Sequence, residues 1–220
     1  MKILCVGIDP SINSTGVCMT LFNEYFEEQF TKFYIIHPHK LTKKEKSAEE
    51  SNNNFQYVTF EEIIKDLSQN HPEEIFKTYK LFYICQNIKR IIELEEFDDL
   101  FVCIEGISYG SSLRTKSIFD LAGLNYLLRN IVNELRGKLL VYSPANIKKF
   151  ATGKGNANKE EMVEAFKIAY PNLCLPKLDD VADAFFMKEI SKSDFIKEYL
   201  QQNWTHGPIQ DLLDKYEKIN

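Results

Sequence analysis

Two short apolar runs in this sequence each end at a carboxylate. Residues 3–8 are apolar or small and stop at Asp9, and residues 100–104 are apolar and stop at Glu105. A short apolar run bounded by turn residues predicts a strand that is buried on both faces. An ionised carboxylate is costly to bury without a partner, so both acids are candidates for a functional role. The alternative for Asp9 is structural, with its side chain capping the turn at Pro10.

Elsewhere along the chain, predicted strands alternate with predicted helices. Further strands are predicted at residues 17–22, 32–36 and 139–142. Helices are predicted at residues 60–69, 72–96 and 116–135, in a short segment from Pro144, at 158–170 and 179–190, and once or twice within 194–220. Strands that alternate with helices favour the α/β class.

The polar segments suggest how the chain is organised. A length of 220 residues suits one large domain, or one domain with additions. Residues 37–54 are polar and charged, and we expect them to form a mobile surface insertion. We assign residues 1–190 to a single domain and residues 191–220 to a C-terminal helical extension, in which Trp204 packs the helices onto the body.

Composition narrows the class of protein. Hydrophobic residues make up 44% and charged residues 27% of the chain, which is typical of a globular protein. We find no apolar run long enough to span a membrane and no signal peptide, and expect a cytoplasmic protein. The five cysteines form no CxxC pair and lie mostly in apolar runs, so we interpret them as reduced core residues.

The charge is unevenly distributed. The net charge of −5 argues mildly against a nucleic-acid partner. Residues 136–159, however, contain six basic residues and no acidic one: Arg136, Lys138, Lys148, Lys149, Lys154 and Lys159. A solvated face is the ordinary explanation for scattered lysines, but an acid-free segment in an acidic chain favours an anion-binding surface.

Two further carboxylates could join Asp9 and Glu105. Asp180 and Asp183 are three residues apart, so on a helix they share one face. Four neighbouring carboxylates would repel one another unless a cation bound them, and Mg²⁺ prefers such oxygen ligands. A pair of such ions, about 3.5–4 Å apart, is a common device for hydrolysing phosphodiester bonds. We interpret Asp179 as the helix cap, although it could compete for the metal.

Four segments resemble, in order, the RuvC-type Holliday-junction resolvases of the ribonuclease-H-like superfamily. They are Gly7-Ile8-Asp9-Pro10-Ser11 with Thr15-Gly16, then Ile104-Glu105, then Tyr142-Ser143-Pro144 with Ile147-Lys148, Gly153-Lys154-Gly155 and Lys159, and finally Asp180-Val181-Ala182-Asp183-Ala184. The resemblance covers residues 1 to about 190. It implies a ribonuclease-H-like α/β fold, with a mixed five-stranded sheet and helices on both faces.

The resemblance also implies roles for particular residues. Asp9, Glu105, Asp180 and Asp183 would be the catalytic acids that bind two Mg²⁺ ions, for which Mn²⁺ could substitute. Lys148 and Lys159 would act at the scissile phosphate, where a cation stabilises developing charge. The other residues assigned to DNA binding are Tyr109, Arg114, Lys149 and Lys154. The protein would act as a homodimer on branched DNA, most simply on four-way junctions.

The chain departs from the family's pattern in its acidic net charge, which argues against tight, general DNA binding, and in two places along the sequence. Ser108 stands where the family commonly has an aromatic residue that stacks at the junction. Tyr109 is available to replace it, since every base offers a face for stacking, or is simply a surface tyrosine. The region between Phe22 and Phe97 is longer than usual, which could change dimerisation or substrate choice.

Other functions remain open at this point. An RNA nuclease or a general debranching nuclease of the same fold would use identical carboxylate chemistry. An actin-like ATPase also begins with a strand, an Asp and a Gly-containing turn, but it needs a second Asp-Gly phosphate hairpin that this sequence lacks. A non-catalytic DNA-binding module would have no reason to keep four uncompensated acids.

Overall fold

A mixed sheet of six strands forms the centre of the protein. The computed structural model describes residues 1–107 and 117–203. The strands are β1 (Lys2–Asp9), β2 (Thr15–Asn23), β3 (Glu28–His37), β4 (Phe55–Thr59), β5 (Asp99–Glu105) and β6 (Lys138–Tyr142). Their spatial order is β4-β3-β2-β1-β5-β6. β1 lies between antiparallel β2 and parallel β5, so the first apolar run of the chain is its central strand.

Helices cover both faces of this sheet. They are α1 (Lys43–Glu50), α2 (Glu61–Asn70), α3 (Glu73–Glu93), α4 (Ser117–Glu134), α5 (Pro144–Thr152), α6 (Lys159–Ala169) and α7 (Leu178–Asn203). α3 and α4 pack on one face, while α5, α6 and α7 pack on the other. The predicted α/β class, with a mixed sheet between two helical layers, is confirmed. None of the helices described here is long and apolar enough to cross a membrane.

The predicted number of strands is wrong by one. β4 is a sixth strand, and it pairs in parallel with β3 immediately after the segment predicted to be a surface insertion. Phe55 and Tyr57 are buried while Gln56 is exposed, which is the alternation of a half-buried strand. This strand has only five residues, and its pattern is short enough to be missed beside a run of asparagines.

The insertion also contains regular structure. Residues 43–50 form α1, whose N-terminus is closed by a capping box between Thr42 and Glu45. The Glu45 carboxylate accepts hydrogen bonds from the backbone and the hydroxyl of Thr42, each 2.8 Å long. The insertion therefore contains an ordered helix, and it leads directly into the strand β4 that extends the sheet.

The last helix is longer than predicted. α7 runs without interruption from Leu178 to Asn203, whereas the pattern suggested a core helix that ends at Ile190. Phe195 and Ile196, beyond that point, are buried against the start of β1 and β5. Their burial explains why the helix continues. The division of the chain at residue 190 stays a prediction, and Trp204 lies outside the described residues.

Candidate active site

Asp9 and Glu105 lie at the same edge of the sheet. β1 and β5 are adjacent and parallel, and Ile8 is paired with Ile104. The next residue of each strand is therefore an acid, and the two carboxylates end neighbouring strands. The expectation that two buried strands would bring these acids together agrees with this register.

The packing of α7 brings two more acids to this edge. Gly7 in β1 and Gly16 in β2 leave no room for a side chain, because a Cβ on Gly7 would lie 2.0 Å from the Ala184 carbonyl oxygen. A Cβ on Gly16 would lie 2.2 Å from the Asp180 carbonyl oxygen. The helix thus rests directly on the strand backbone, with Asp180 and Asp183 in its first two turns beside the end of β1.

The four carboxylates act on one another electrostatically. Burial raises the pKa of Asp9 well above its usual value, and the charges of Asp183, Glu105 and Asp180 raise it further. Burial and the charge of Asp183 raise the pKa of Glu105 to about 7. Burial and neighbouring acids, Asp179 first among them, raise the pKa of Asp183 to about 6. Such mutual effects require the acids to share one site.

Ser14 is a member of the site that sequence reasoning missed. Its hydroxyl donates a hydrogen bond to Oδ2 of Asp180. Burial raises the pKa of Asp180, and this hydrogen bond opposes the increase by stabilising the ionised carboxylate. Ser14 lies in the turn between β1 and β2, where a serine is common and gives no signal of its own.

Lys148 and Lys159 both face the acids. The positive charge of Lys148 lowers the pKa of Glu105 and of Asp183, and that of Lys159 lowers the pKa of Asp9 and of Asp183. Lys159 also binds Asp179, with 2.5 Å between Nζ and Oδ2. Asp179 lies in the first turn of α7, where backbone N–H groups also lower its pKa, so it interacts both with the start of the helix and with this lysine.

The remaining DNA-binding candidates are more scattered. Lys149 is exposed on α5, and Lys154 is exposed and bound to Glu161 at 3.0 Å. Tyr109 and Arg114 lie outside the described residues. The part of the chain that the structure describes therefore associates two of the predicted basic residues with the four acids.

A second unpredicted contact supports the end of β5. The buried side chain of Asn125, on α4, donates a hydrogen bond of 2.7 Å to the carbonyl oxygen of Glu105. Arg129 in turn donates to the Asn125 side-chain oxygen at 2.8 Å. The backbone that carries Glu105 is thus held by the opposite helical layer.

The donor set fits a hard divalent cation. Among residues 1–107 and 117–203, no three His, Cys, Asp or Glu side chains form a ready-made ligand set for one metal ion. The site nevertheless consists of carboxylate oxygens whose mutual repulsion a cation would relieve. The cluster therefore has the chemistry of a magnesium site, and cation binding would have to draw the ligands together.

Comparison with known proteins identifies similar sequences. No family model matches the chain. Proteins named crossover junction endodeoxyribonuclease RuvC do match it. The one from Pseudothermotoga lettingae is 30% identical over 137 residues, which cover 60% of this chain and 76% of that protein. The one from Chlamydia trachomatis serovar L2 is 26% identical over 187 residues, 84% of this chain and 88% of that protein.

Solved structures show the same fold. Thermus thermophilus RuvC superimposes with a TM-score of 0.52 at 14% identity, covering 89% of this chain and 96% of that one. The structure of the same protein in complex with a Holliday junction substrate gives a TM-score of 0.51 at 15% identity, with the same coverage. These likenesses agree with the ribonuclease-H-like architecture predicted from the motifs.

Proposed function

This chain belongs to the RuvC family of crossover junction endodeoxyribonucleases, and we propose that it hydrolyses phosphodiester bonds at four-way or other branched DNA junctions. The observation that carries the proposal is the cluster of Asp9, Glu105, Asp180 and Asp183, which come from three separate elements. Each acid is held at the same edge of the sheet, where their charges raise the pKa of Asp9. A purely structural role would not require four repelling carboxylates in one place.

Divalent cations would bind to these four carboxylates. Two Mg²⁺ ions, or Mn²⁺ in their place, would supply an activated water and a counter-charge for the leaving oxygen. The chain's own part is to hold the ligands: β1 and β5 fix Asp9 and Glu105 side by side, and α7 presents Asp180 and Asp183. The hydrogen bond from Ser14 to Asp180 favours the ionised form of this carboxylate, which is the form that binds a cation.

Two lysines would handle the phosphate. Lys148 and Lys159 lie at the rim of the acid cluster, where an ammonium group can oppose the charge that develops on the scissile phosphate. Lys159 is 74% exposed and is bound to Asp179, so a DNA phosphate could take the place of that carboxylate. Lys149, Lys154, Tyr109 and Arg114 stay predicted contacts to the DNA strands.

The decisive experiment is a cleavage assay with an immobile four-way junction in Mg²⁺, compared with linear duplex of the same sequence. We expect Asp9→Asn and Glu105→Gln each to lower the cleavage rate at least about 10³-fold, because each removes a ligand charge that acts in the transition state. Junction binding, measured by fluorescence anisotropy, should survive in both variants.

Asp99→Asn is the matched control. Asp99 is an exposed acid at the other end of β5, so the change in charge is the same but lies far from the cluster. If Asp9→Asn and Glu105→Gln both cleaved the junction as fast as Asp99→Asn, the proposal would be overturned. A panel of flap, RNA–DNA hybrid and structured RNA substrates separates a junction nuclease from an RNA or general debranching nuclease.

A homodimer is the proposed assembly. Ile75, Tyr79 and Phe82 are spaced four and three residues apart on α3, and each is between 40% and 47% exposed. Phe119 and Tyr126 on the adjoining α4 are 81% and 61% exposed. Exposed apolar patches of this kind mark interaction surfaces, and we place the second copy of the chain here.

The oligomeric state tests this assignment. The wild-type chain should have twice its monomer mass by light scattering at micromolar concentration, and Phe119→Glu should convert it to monomer. Leu94→Glu is the control, since Leu94 is 69% exposed at the other end of α3. A monomeric wild type, or a dimeric Phe119→Glu variant, would rule out this interface.

The state of the cysteines supports a proposal for the cellular compartment in which the protein acts. Cys5, Cys18, Cys85 and Cys103 are free and buried, and Cys174 is free and exposed. Free thiols are typical of a reducing compartment, which supports action in the cytoplasm.

A further inference from the structure

A groove opens directly beside the acid cluster. One wall is formed by Gly106 and Ile107, which follow Glu105, and another by Val141 and Tyr142 at the end of β6. Ala145 and Lys148 of α5 close the third side. Because Glu105 is paired with Tyr142, the groove begins one residue beyond the catalytic edge of the sheet.

The floor of this groove is held rigidly. The Gly106 N–H donates a 2.7 Å hydrogen bond to the Tyr142 carbonyl oxygen, which continues the β5–β6 pairing past the strand end. A Cβ on Gly106 would lie 3.2 Å from Val141 Cγ1, so a larger residue would narrow the groove at this point. The groove is therefore part of the same framework that positions Glu105.

The lining has the chemistry of a nucleotide site. Ile107, Val141 and Ala145 offer apolar surface, and Val141 is 41% exposed although it belongs to a strand. Lys148 contributes a positive charge, and none of the described residues that line the groove is acidic. In a chain with a net charge of −5, this combination suits a sugar and base on the apolar wall and a phosphate at the lysine.

The size of the groove limits what can enter. Its volume is about 420 Å³, in the lower part of the range of roughly 300–1,000 Å³ for small-molecule sites. One nucleotide can fit, but a base pair in a duplex cannot. A base must therefore leave its stack before it can enter, which costs a few kcal/mol in duplex DNA and least where the base is already unpaired.

We propose that this groove binds one unpaired nucleotide of the cleaved strand, next to the scissile phosphate. This inference rests on the proposed nuclease function and adds a reason for its choice of branched DNA. A junction supplies an unpaired nucleotide at its branch point, whereas a linear duplex must first be opened. The protein would then select branched substrates because the groove accepts an unpaired nucleotide, in addition to any long-range electrostatic attraction between the protein and DNA.

The test fills the groove without touching an acid or a lysine. Ala145 is exposed and lines the groove beside Gly155, so Ala145→Leu would add bulk to this wall of the groove. We expect kcat/KM on a four-way junction to fall about tenfold or more, as pocket-shape changes commonly cause. Val141→Phe fills the groove from the opposite wall and should have the same effect.

The matched control is Ala169→Leu. Ala169 lines a separate groove with Tyr170 and Asn172, so it receives the same exposed side chain away from Glu105. Thermal unfolding is measured for all three variants to confirm that they are folded. Unchanged junction cleavage by both Ala145→Leu and Val141→Phe would overturn the inference.

A second measurement tests the nucleotide itself. The junction is prepared with an abasic residue on either side of the scissile phosphate. In the wild-type chain, one of the two abasic junctions should be cleaved about tenfold more slowly than the intact junction, because it has no base to fill the groove. Ala145→Leu should cleave the intact and abasic junctions at equal rates.

The outcomes separate the inference from the function on which it rests. If the wild type cleaves junctions and the abasic penalty persists unchanged in Ala145→Leu, the groove does not bind the base although the nuclease function stands. If the wild type does not cleave junctions at all, the proposed function fails first. In that case 2-aminopurine at the same two positions reports entry of a base into the groove, and equal fluorescence changes with Ala145→Leu and wild type would overturn the inference.

Discussion

Around the acids, the two faces of the central strands carry side chains of different size. On the face covered by α3 and α4, the strands present large aliphatic residues: Leu4, Val6, Ile8, Val17, Met19, Leu100, Val102 and Ile104. On the face covered by α7, the same strands present small residues near the acids, namely Cys5, Gly7, Gly16, Cys18 and Cys103, whereas the larger Ile3, Phe22 and Phe101 lie at the opposite ends of the strands. Large side chains therefore separate α3 and α4 from the strands, whereas the start of α7 lies directly against the strand backbone.

This difference explains where the acids are. In a strand, residues two apart share a face, so Asp9 lies on the same side as Gly7, and Glu105 on the same side as Cys103. Both acids thus project toward the layer in which α7 has come close enough to add its own carboxylates. The small residues allow carboxylates from a helix and from two strands to meet.

The largest effect on stability and cleavage should come from adding one carbon to the sheet face on which α7 lies. Gly7→Ala would place a Cβ against the α7 backbone, and we expect a loss of about 2–3 kcal/mol of stability and of most cleavage activity. Ile88 lies on α3, in the core on the opposite side of the sheet. Removing one carbon there, in Ile88→Val, should lower the free energy of unfolding by about 1 kcal/mol and leave kcat unchanged. Denaturant unfolding and junction cleavage measure both. Equal effects on activity would contradict the contrast between the faces.

The next effect is the pH dependence of stability without metal. The pKa of Glu105 rises from 4.5 to about 7 on folding, so the native state binds this proton more tightly than the unfolded state. The contribution of Glu105 to the free energy of unfolding is therefore fully present below about pH 4.5. It is lost as the pH rises toward 7, and the loss is on the order of 1–3 kcal/mol. Thermal unfolding in EDTA should show this slope.

Variants identify the origin of that slope. Glu105→Gln should reduce the slope, since an amide does not titrate while Asp9 and Asp183 still do, and Asp99→Asn should retain the full slope. Mg²⁺ should offset the loss near pH 7 by binding the ionised acids. A Tm that rises steadily between pH 4.5 and 7 in EDTA would show that the acids of this face do not repel one another as described.

A smaller effect is expected at Ser14. Ser14→Ala removes the hydroxyl that donates to Asp180, and a hydrogen bond to a charged group is worth roughly 1.5–3 kcal/mol. We expect cleavage to slow by about tenfold and the Mg²⁺ requirement to increase. Ser14→Thr retains the hydroxyl and should recover most of the activity. Wild-type metal dependence in Ser14→Ala would show that the contact does not position the ligand.

The smallest effect is expected at Asp179. The ion pair between Lys159 and Asp179 is exposed, and such pairs contribute about 0–1 kcal/mol. Asp179→Asn would free the lysine for a DNA phosphate and should lower KM by about two- to fivefold, with stability nearly unchanged. The measurement is cleavage at several junction concentrations. A higher KM would assign Asp179 to the metal instead of to the lysine.

Several parts of the fold and site could be predicted because their signals are local. The buried runs indicated two strands that end at Asp9 and Glu105, and the spacing of Asp180 and Asp183 indicated one helical face, whereas the adjacency of the two strands is seen only in the structure. β4 was missed because its alternation covers only five residues. Ser14 was missed because a turn serine looks the same whether or not an acid lies within reach.

The sequence alone determined the identities of the acids, the order of the elements that carry them and the alternation of large and small residues within the central strands. Only the tertiary structure decided that α7 lies on Gly7 and Gly16, that Ser14 reaches Asp180, and that a groove opens beyond Glu105. The physical reason is distance along the chain. Periodicity and capping act within a few residues, whereas these contacts join segments more than thirty residues apart, and three-dimensional packing alone sets their geometry.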